Sequence, residues 1–356
     1  MSNNSNLSSV KSIAQKLGLS AGTISIVLNG HGDKMRISQA TQQRILDYVK
    51  EINYQPNIYA KRLRKAQKSN NAPIIAVFWP TNFNANLVGR FFTGVHEFRD
   101  KDGREAEIML QPYLYNEIFR LSDYLSSSYY NGIVFLGLSE IDFMYVTQRT
   151  FDIPIVLFNR VSDKYSAVCV DDFDNGMKAA ELLYKRGHKK VAIISYSIAS
   201  RSSALKRSGF LTAWLEYGMP IKAKYIIEGD VSYESGSRTA QELLYICADD
   251  LPTAVFIQES TTAVGTLPVF KANGVDIPRD MEILSYGDNP QDAYTIPSLT
   301  SIRMPVEEMS SECLRILLDS QSNGLKNKMI SMHPVDFIFR ESCGDFEGKF
   351  ADITQC

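Results

Sequence analysis

The sequence predicts an α/β chain in which a small all-helical head precedes two doubly wound parallel-sheet halves. Three observations predict it. Residues 9–29 read as two short amphipathic helices joined by a glycine turn. After a polar linker at 65–72, short apolar runs alternate with amphipathic stretches to the end of the chain. About ten strands over about 270 residues are more than one doubly wound sheet usually carries, so two similar halves are expected.

The head is built in order. Ser9 can cap a first helix, since a hydroxyl oxygen accepts from amides left open at a helix start. Val10, Ile13, Ala14 and Leu17 then fall on one apolar face. Gly18 stops this helix, because glycine enters the left-handed turn without steric cost. Leu19 anchors the turn, and Ser20 caps a second helix with Ile24, Val27 and Leu28 on its buried side. Ser38 caps a third helix, with Ile45, Leu46, Val49 and Ile52 inward. Helix, glycine turn, helix is the pattern whose second helix enters the DNA major groove.

Charge agrees with that pattern. The net charge of -2 hides a division, since residues 1–68 hold 11 Lys/Arg against 3 Asp/Glu and the remainder holds 27 against 37. A basic head on an acidic body points to a head that alone meets a polyanion. Residues 1–9 are polar with no apolar run after them, so a cytoplasmic chain without a membrane span is expected. Cys169, Cys247, Cys313, Cys343 and Cys356 show no C-x-x-C or zinc spacing and read as reduced thiols, mostly core, with Cys356 in the tail. His31, His96, His188 and His333 have no metal spacing, and neither a P-loop nor a G-x-G-x-x-G or G-x-S-x-G is present. No metal, cofactor or enzymatic activity is therefore expected.

In the body, the apolar runs are Ile74–Trp79, Ala106–Leu110, Gly132–Leu136, Ile153–Phe158, Ala167–Val170, Val191–Ser195, Tyr225–Ile227, Ala254–Ile257 and Ile283–Ser285. Nearly continuous Val/Ile runs between polar turns are what strands buried on both faces look like. Asn175–Arg186 and Ser203–Tyr217 have helical periodicity between them. The phenylalanines of Phe78–Phe92 could line a cleft, but at these spacings they are assigned to core.

Two motifs carry a resemblance. Ala14 to Asn29 matches an A-x-x-x-G-V-S-x-x-T-V-S-x-V-L-N pattern with Leu19 and Ile24 in place of valines, and Tyr54 to Leu63 matches Y-x-P-N-x-x-A-R-x-L with Lys61 in place of arginine. On these the chain resembles the lac repressor / galactose repressor family of bacterial transcription regulators. The resemblance extends through Val170–Gly176, Arg186-Gly-His188, Gly209-Phe210, Glu228-Gly-Asp230, Pro252–Phe256, Ile277-Pro278 and Pro297–Ile302. It implies a helix-turn-helix domain at 1–56, a hinge helix and linker at 57–72, and an effector-binding and dimerisation domain of periplasmic-binding-protein type at 73–345, with a tail at 346–356. Subdomain 1 would hold 73–169 and 303–329, and subdomain 2 would hold 170–302 and 330–345, with crossings near Val170, Ile302 and Met329.

The resemblance also implies roles. Ala21, Gly22 and Ile26 occupy base-reading positions, and the last is often arginine in the family. These three offer only close approach or a thymine-methyl contact, whereas arginine pairs bidentately with guanine. Ser20, Thr23, Ser25 and Asn29 would contact phosphates, which position the helix without carrying sequence information. Tyr54, Asn57, Lys61 and Arg64 belong to the hinge, where Leu63 would wedge into the minor groove and kink the duplex. A symmetric dimer would then need a palindromic operator, and the absence of a leucine heptad after Arg340 argues for a dimer over a coiled-coil tetramer.

The effector site departs from the family. Its usual Asn-Asp pair is Glu259 and Ser260 here, its stacking aromatic is Val231, its arginine before Gly-Phe is Lys206 beside Arg207, and its Gly-Tyr-Asp-Asp reads Ser285-Tyr-Gly-Asp288. Lysine does not replace arginine freely in a planar site. Arg201, Lys206, Arg207, Glu259, Ser260 and Asp288 are the candidate effector residues, with a sugar-like molecule as the default ligand. Two other readings are a regulator with a degenerate pocket controlled by a partner protein, and a solute-binding protein that binds no DNA.

Overall fold

The computed structural model describes residues 10–28, 30–52, 72–81, 85–98, 103–196, 201–323 and 328–344. Ser9, Asn29, Tyr54, Asn57, Lys61, Leu63, Arg64 and Cys356, together with the expected hinge helix and tail, lie outside the described residues. The chain divides into two compact units, 1–71 and 72–356.

In the first unit, α1 (Val10–Leu17), α2 (Ala21–Leu28) and α3 (Gln39–Glu51) enclose a small core of Ile13, Ala14, Leu17, Ile24, Val27 and Ile45. Gly18 takes φ +65° and ends α1, as its position in the sequence requires. The Ser20 hydroxyl accepts from the Thr23 amide at 3.0 Å, and Ser38 does the same for Thr41 at 3.3 Å. Arg44 on α3 donates to the Leu17 carbonyl at 2.6 Å, which closes the open end of α1. Leu46 differs from its expected inward place and is exposed. It neighbours Ile45 on α3, and two successive helical residues cannot share one face.

The second unit holds two six-stranded sheets. Sheet 1 has the order β2 (Glu107–Tyr113), β1 (Ile74–Pro80), β3 (Gly132–Phe135), β4 (Ile155–Phe158), β5 (Ser166–Cys169) and β11 (Ile330–Met332). Sheet 2 has the order β7 (Ile226–Gly229), β6 (Val191–Tyr196), β8 (Ala254–Ile257), β9 (Glu282–Tyr286), β10 (Thr300–Arg303) and β12 (Asp336–Ile338). All pairings are parallel except that of β12 with β10. Ile75 and Val77 pack into one core, and Ile74, Ala76 and Phe78 into another, so β1 is buried on both faces. β2 lies at an edge and is partly exposed, unlike the fully buried strand its apolar run suggests. Phe78 and Phe91 are core, as assigned.

Helices cover both sheets. α4 (Ala85–Glu97) packs with α10 (Val306–Asn323), α6 (Asp172–Lys185) with α7 (Arg201–Glu216), and α8 (Tyr233–Ile246) with α9 (Ser260–Ala272). α5 (Glu140–Gln148) contributes Val146 to the other face of sheet 1. The chain crosses between sheets after Cys169, after Arg303 and between Met332 and Asp336. The last crossing falls beyond Met329, because 330–332 pairs with β5 of sheet 1. Among the described residues no helix is long and apolar enough to cross a membrane, and no group of three His, Cys, Asp or Glu could hold a metal.

The α6–α7 contact is made backbone to backbone. A Cβ on Gly176 would stand 2.0 Å from the Lys206 carbonyl oxygen, and one on Gly209 would stand 2.0 Å from that of Phe173. Overpacking of this kind costs about 1–3 kcal/mol or more. Gly209→Ala is expected to lower the unfolding free energy of the body by at least that amount in urea denaturation.

Candidate functional site

In doubly wound sheets, ligands bind beyond the carboxyl ends of the strands, where the strand order reverses. Each sheet here has such a point, between β1 and β3 and between β6 and β8. A cavity of about 310 Å³ lies at these ends and takes residues from both sheets. Sheet 1 supplies Tyr115 after β2, Gly137 and Leu138 after β3, and Phe158, Asn159 and Arg160 at the end of β4. Sheet 2 supplies Tyr196 at the end of β6, Gln258 and Glu259 after β8, and Tyr286, Gly287 and Asn289 around the end of β9. Arg201, Ser202 and Lys206 come from the first turns of α7, and Arg90 from α4. Aromatic faces and convergent polar groups in a concave site of this size are the usual make-up of a small-molecule site.

The polar wall is held by networks that reach both sheets. Asn159, at φ +52°, accepts from the Val170 amide at 3.1 Å and donates to Asp172 at 3.1 Å. Asp172 in turn accepts from the Lys206 ammonium at 3.0 Å. Lys206 also donates to the Ser202 hydroxyl at 2.6 Å and stands 4.3 Å from the centre of the Tyr286 ring. Burial alone would pull the Lys206 ammonium down, but Asp172 carries it above the ordinary lysine value. Burial likewise pushes the Tyr286 hydroxyl up. Arg90 donates to Glu307 at 2.8 and 2.7 Å, to the Gly287 carbonyl at 2.6 Å and to the Met304 carbonyl at 2.8 Å.

Among the described residues Glu259 is the one carboxylate on the wall, and it caps α9. It accepts from the Thr262 amide at 3.0 Å and the Thr261 hydroxyl at 3.1 Å. Burial raises its pKa, the hydrogen bonds from Thr262 and Thr261 oppose the rise, and Asp292 adds to it.

Of the six residues expected from the sequence, Arg201, Lys206 and Glu259 line the cavity. Arg207 does not, and it pairs instead with Glu228. Ser260 is fully buried behind the wall and donates to Asp292. Asp288 is held by Arg340 at 2.7 Å, outside the cavity. Val231, where the family carries an aromatic, does line it. Arg160, Tyr196 and Asn289 were not singled out from the sequence. Arg160 and Tyr196 sit directly after the buried runs ending at Phe158 and Ser195, which is the signal that could have found them. Arg90 has no local signal, since its partners are about two hundred residues away.

In the head, Ala21 and Gly22 are exposed at the start of α2, Ile24 and Val27 face the core, and Thr23, Ser25 and Ile26 are half-buried. Ser20 is exposed and its hydroxyl is also shared with that of Thr23 at 2.9 Å, so it caps α2 whatever else it touches.

Residues 9–57 match the family model for bacterial regulatory proteins of the lacI family, and residues 180–343 match that for a periplasmic binding protein-like domain. The probable HTH-type transcriptional repressor ExuR of Bacillus subtilis is 26% identical over 94% of this chain and 97% of its own length. Catabolite control protein A of Priestia megaterium is 24% identical over 93% and 97%. A LacI family transcription regulator from Clostridium acetobutylicum shares the fold at a TM-score of 0.71 and 26% identity, over 75% of this chain and 99% of that one. The transcriptional regulator CelR in complex with cellobiose does so at 0.67 and 24% identity, over 94% and 99%.

The Glu259 carboxyl supplies a pH test. A carboxyl raised in the folded state favours the protonated fold, so its cost is absent below its unfolded pKa and grows as pH rises through the folded value. Relative to Glu259→Gln, the chain is expected to lose unfolding free energy in urea titrations as pH is raised from about 4.5, with a levelling-off once Glu259 is fully ionised.

Proposed function

The chain belongs to the lac repressor / galactose repressor family of bacterial transcription regulators, and we propose that it represses transcription by binding a palindromic operator as a dimer under the control of a small molecule. The observation that carries this reading is the presence, in one chain, of a lacI-family head and a body whose cavity is walled by both sheets. The head reads DNA through the exposed start of α2, with Ala21, Gly22 and Ile26 toward bases and Ser20, Thr23, Ser25 and Asn29 toward phosphates. Tyr54, Asn57, Lys61 and Arg64 serve the hinge, and Leu63 from each protomer wedges the minor groove.

The effector is a carbohydrate or a derivative of one, held by Arg201 and Glu259 together with the tyrosines of the wall. Relatives named for repression and a neighbour bound to cellobiose support that reading. A cavity with convergent polar groups also favours a small molecule over a partner protein as the signal. Occupancy favours one relative orientation of the two sheets and thereby sets whether the paired hinges order on DNA. Such coupling is reciprocal, so operator DNA changes effector affinity by the same factor.

Selection of bound sites from random double-stranded DNA, at one stated salt concentration, tests the function. A palindrome is expected to be enriched. Leu63→Ala is expected to bind it at least about tenfold more weakly, because the wedge supports a kink of a few kcal/mol. Enrichment of a site without two-fold symmetry, or no loss in the variant, contradicts the dimeric wedge.

A further inference from the structure

Phosphate contacts supply a large share of a protein's affinity for DNA, and Lys and Arg make those that neutralise charge. Helix α2 carries no charged residue at all. On α3, Arg44 is committed to the Leu17 carbonyl at 2.6 Å. The next cations along the chain after α2 are Lys34 and Arg36, both exposed, in the turn that joins α2 to α3. Among the described residues neither of them pairs with a carboxylate. Asp33 is the only carboxylate between Leu28 and Arg44, and α3 takes it up. It accepts from the side-chain amides of Gln39 at 2.7 Å and Gln42 at 2.9 Å.

The turn is tied together although its outer residues bury nothing. The amides of Met35, Arg36 and Ile37 donate to the carbonyls of His31, Asp33 and Gly32 at 3.0, 3.0 and 2.9 Å. The Gln42 side chain also donates to the Ile37 carbonyl at 2.8 Å. Arg36 is held at φ +55°. Among the described residues every other non-glycine residue with positive φ is Asn or Asp, whose short polar side chains tolerate that region. Arginine has no such compensation, and strain of this kind persists only where the surroundings impose it. The outcome is two unpaired cations presented to solvent on a turn built to present them.

The position of the turn follows from the length of α2. A helix of eight residues is about 12 Å long, and the major groove is about 12 Å wide. With the start of α2 over base edges, the turn beyond its other end stands at the wall of the groove, where the phosphates run. We infer, on the operator-binding reading above, that the turn at 31–36 is a second DNA-contacting element, in which Lys34 and Arg36 hold phosphates beside the bases that α2 faces. It supplies the charge that the recognition helix lacks and carries no sequence information of its own.

Operator affinity of the full chain, measured by fluorescence anisotropy from about 0.05 to about 0.2 M salt, tests this. Lys34→Gln and Arg36→Gln are each expected to bind the selected operator about tenfold or more weakly at the same salt, the scale of a charge-assisted hydrogen bond lost from each protomer. Each neutralised phosphate adds about 0.9 to the slope of log K against log salt, so with two turns per dimer each substitution lowers the slope by about 1.8. Binding to unrelated duplex DNA weakens by a similar factor, since phosphates are the same in every sequence. Arg36→Lys keeps the charge and is expected to keep the slope. Lys34 lies outside the left-handed region, so Lys34→Gln tests the contact free of backbone strain. Arg279→Gln, an exposed arginine beside Asp276 in the body, is the control for net charge and leaves affinity and slope unchanged. Unchanged affinity and slope in both glutamine variants, with the parent chain bound to its operator, overturn the inference and leave the operator reading standing. A loss with an unchanged slope, or one confined to the operator, overturns the phosphate assignment. A parent chain that binds no DNA overturns both readings.

Discussion

The buried Arg90 guanidinium is the interaction on which the geometry of the cavity depends. It rises from a helix of sheet 1, grips Glu307, and donates to Gly287 at the end of β9 and to Met304 on the second crossing. One planar group with five fixed donors can serve a carboxylate and two carbonyls at once, which an ammonium on a flexible stem cannot. Gly287 sits at φ +126°, a conformation that suits glycine and that accompanies the offer of its carbonyl to Arg90. The Asn159–Asp172–Lys206 chain does at the first crossing what Arg90 does at the second. The cavity lies against both networks, so whatever enters it meets the groups that relate one sheet to the other.

The halves themselves resist deformation. Helices α8 and α9 touch through Gly236 and Gly265, where an added Cβ would stand 2.2 Å from backbone oxygens, as α6 and α7 do through Gly176 and Gly209. α4 and α10 meet at Gly94, where an added Cβ would stand 2.1 Å from the Glu307 carbonyl oxygen, in the helix turn that also supplies the Arg90 partner. Close-packed halves leave the three crossings as the places where motion can concentrate. A hinge motion there would transmit a local event in the cavity over a distance. Arg90 and the Asn159 chain are then the polar contacts that any change of orientation must rearrange.

Much of this was legible in the sequence. The nine apolar runs each became a strand, most of them because burial on both faces forces continuous Val and Ile, although β2 kept its run at a partly exposed edge. β11 and β12 escaped notice because three-residue strands at a sheet edge, largely exposed, need no such run, and β10 because its four interior residues include Thr300 and Ser301. The head was readable down to its capping serines, since caps and glycine stops act within a few residues. The site was readable only in part. Arg201 and Glu259 could be placed by analogy to a motif and Arg160 by its place after a buried run, whereas Asn289 and Arg90 reach the cavity through tertiary contacts that no local pattern records. Arg207 and Asp288, candidate effector residues by sequence, are held by Glu228 and Arg340, partners 21 and 52 residues away.

If the orientation of the two sheets governs operator binding, Arg90→Lys changes that binding without any effector. The lysine keeps the positive charge near Glu307 but cannot hold the Gly287 and Met304 carbonyls together with it. Fluorescence anisotropy with the selected operator at fixed salt should show an affinity that differs from the parent chain by at least about fivefold, the lower end of ordinary coupling energies. An unchanged affinity in a variant whose circular dichroism is native would mean that the junction at Arg90 does not govern the head.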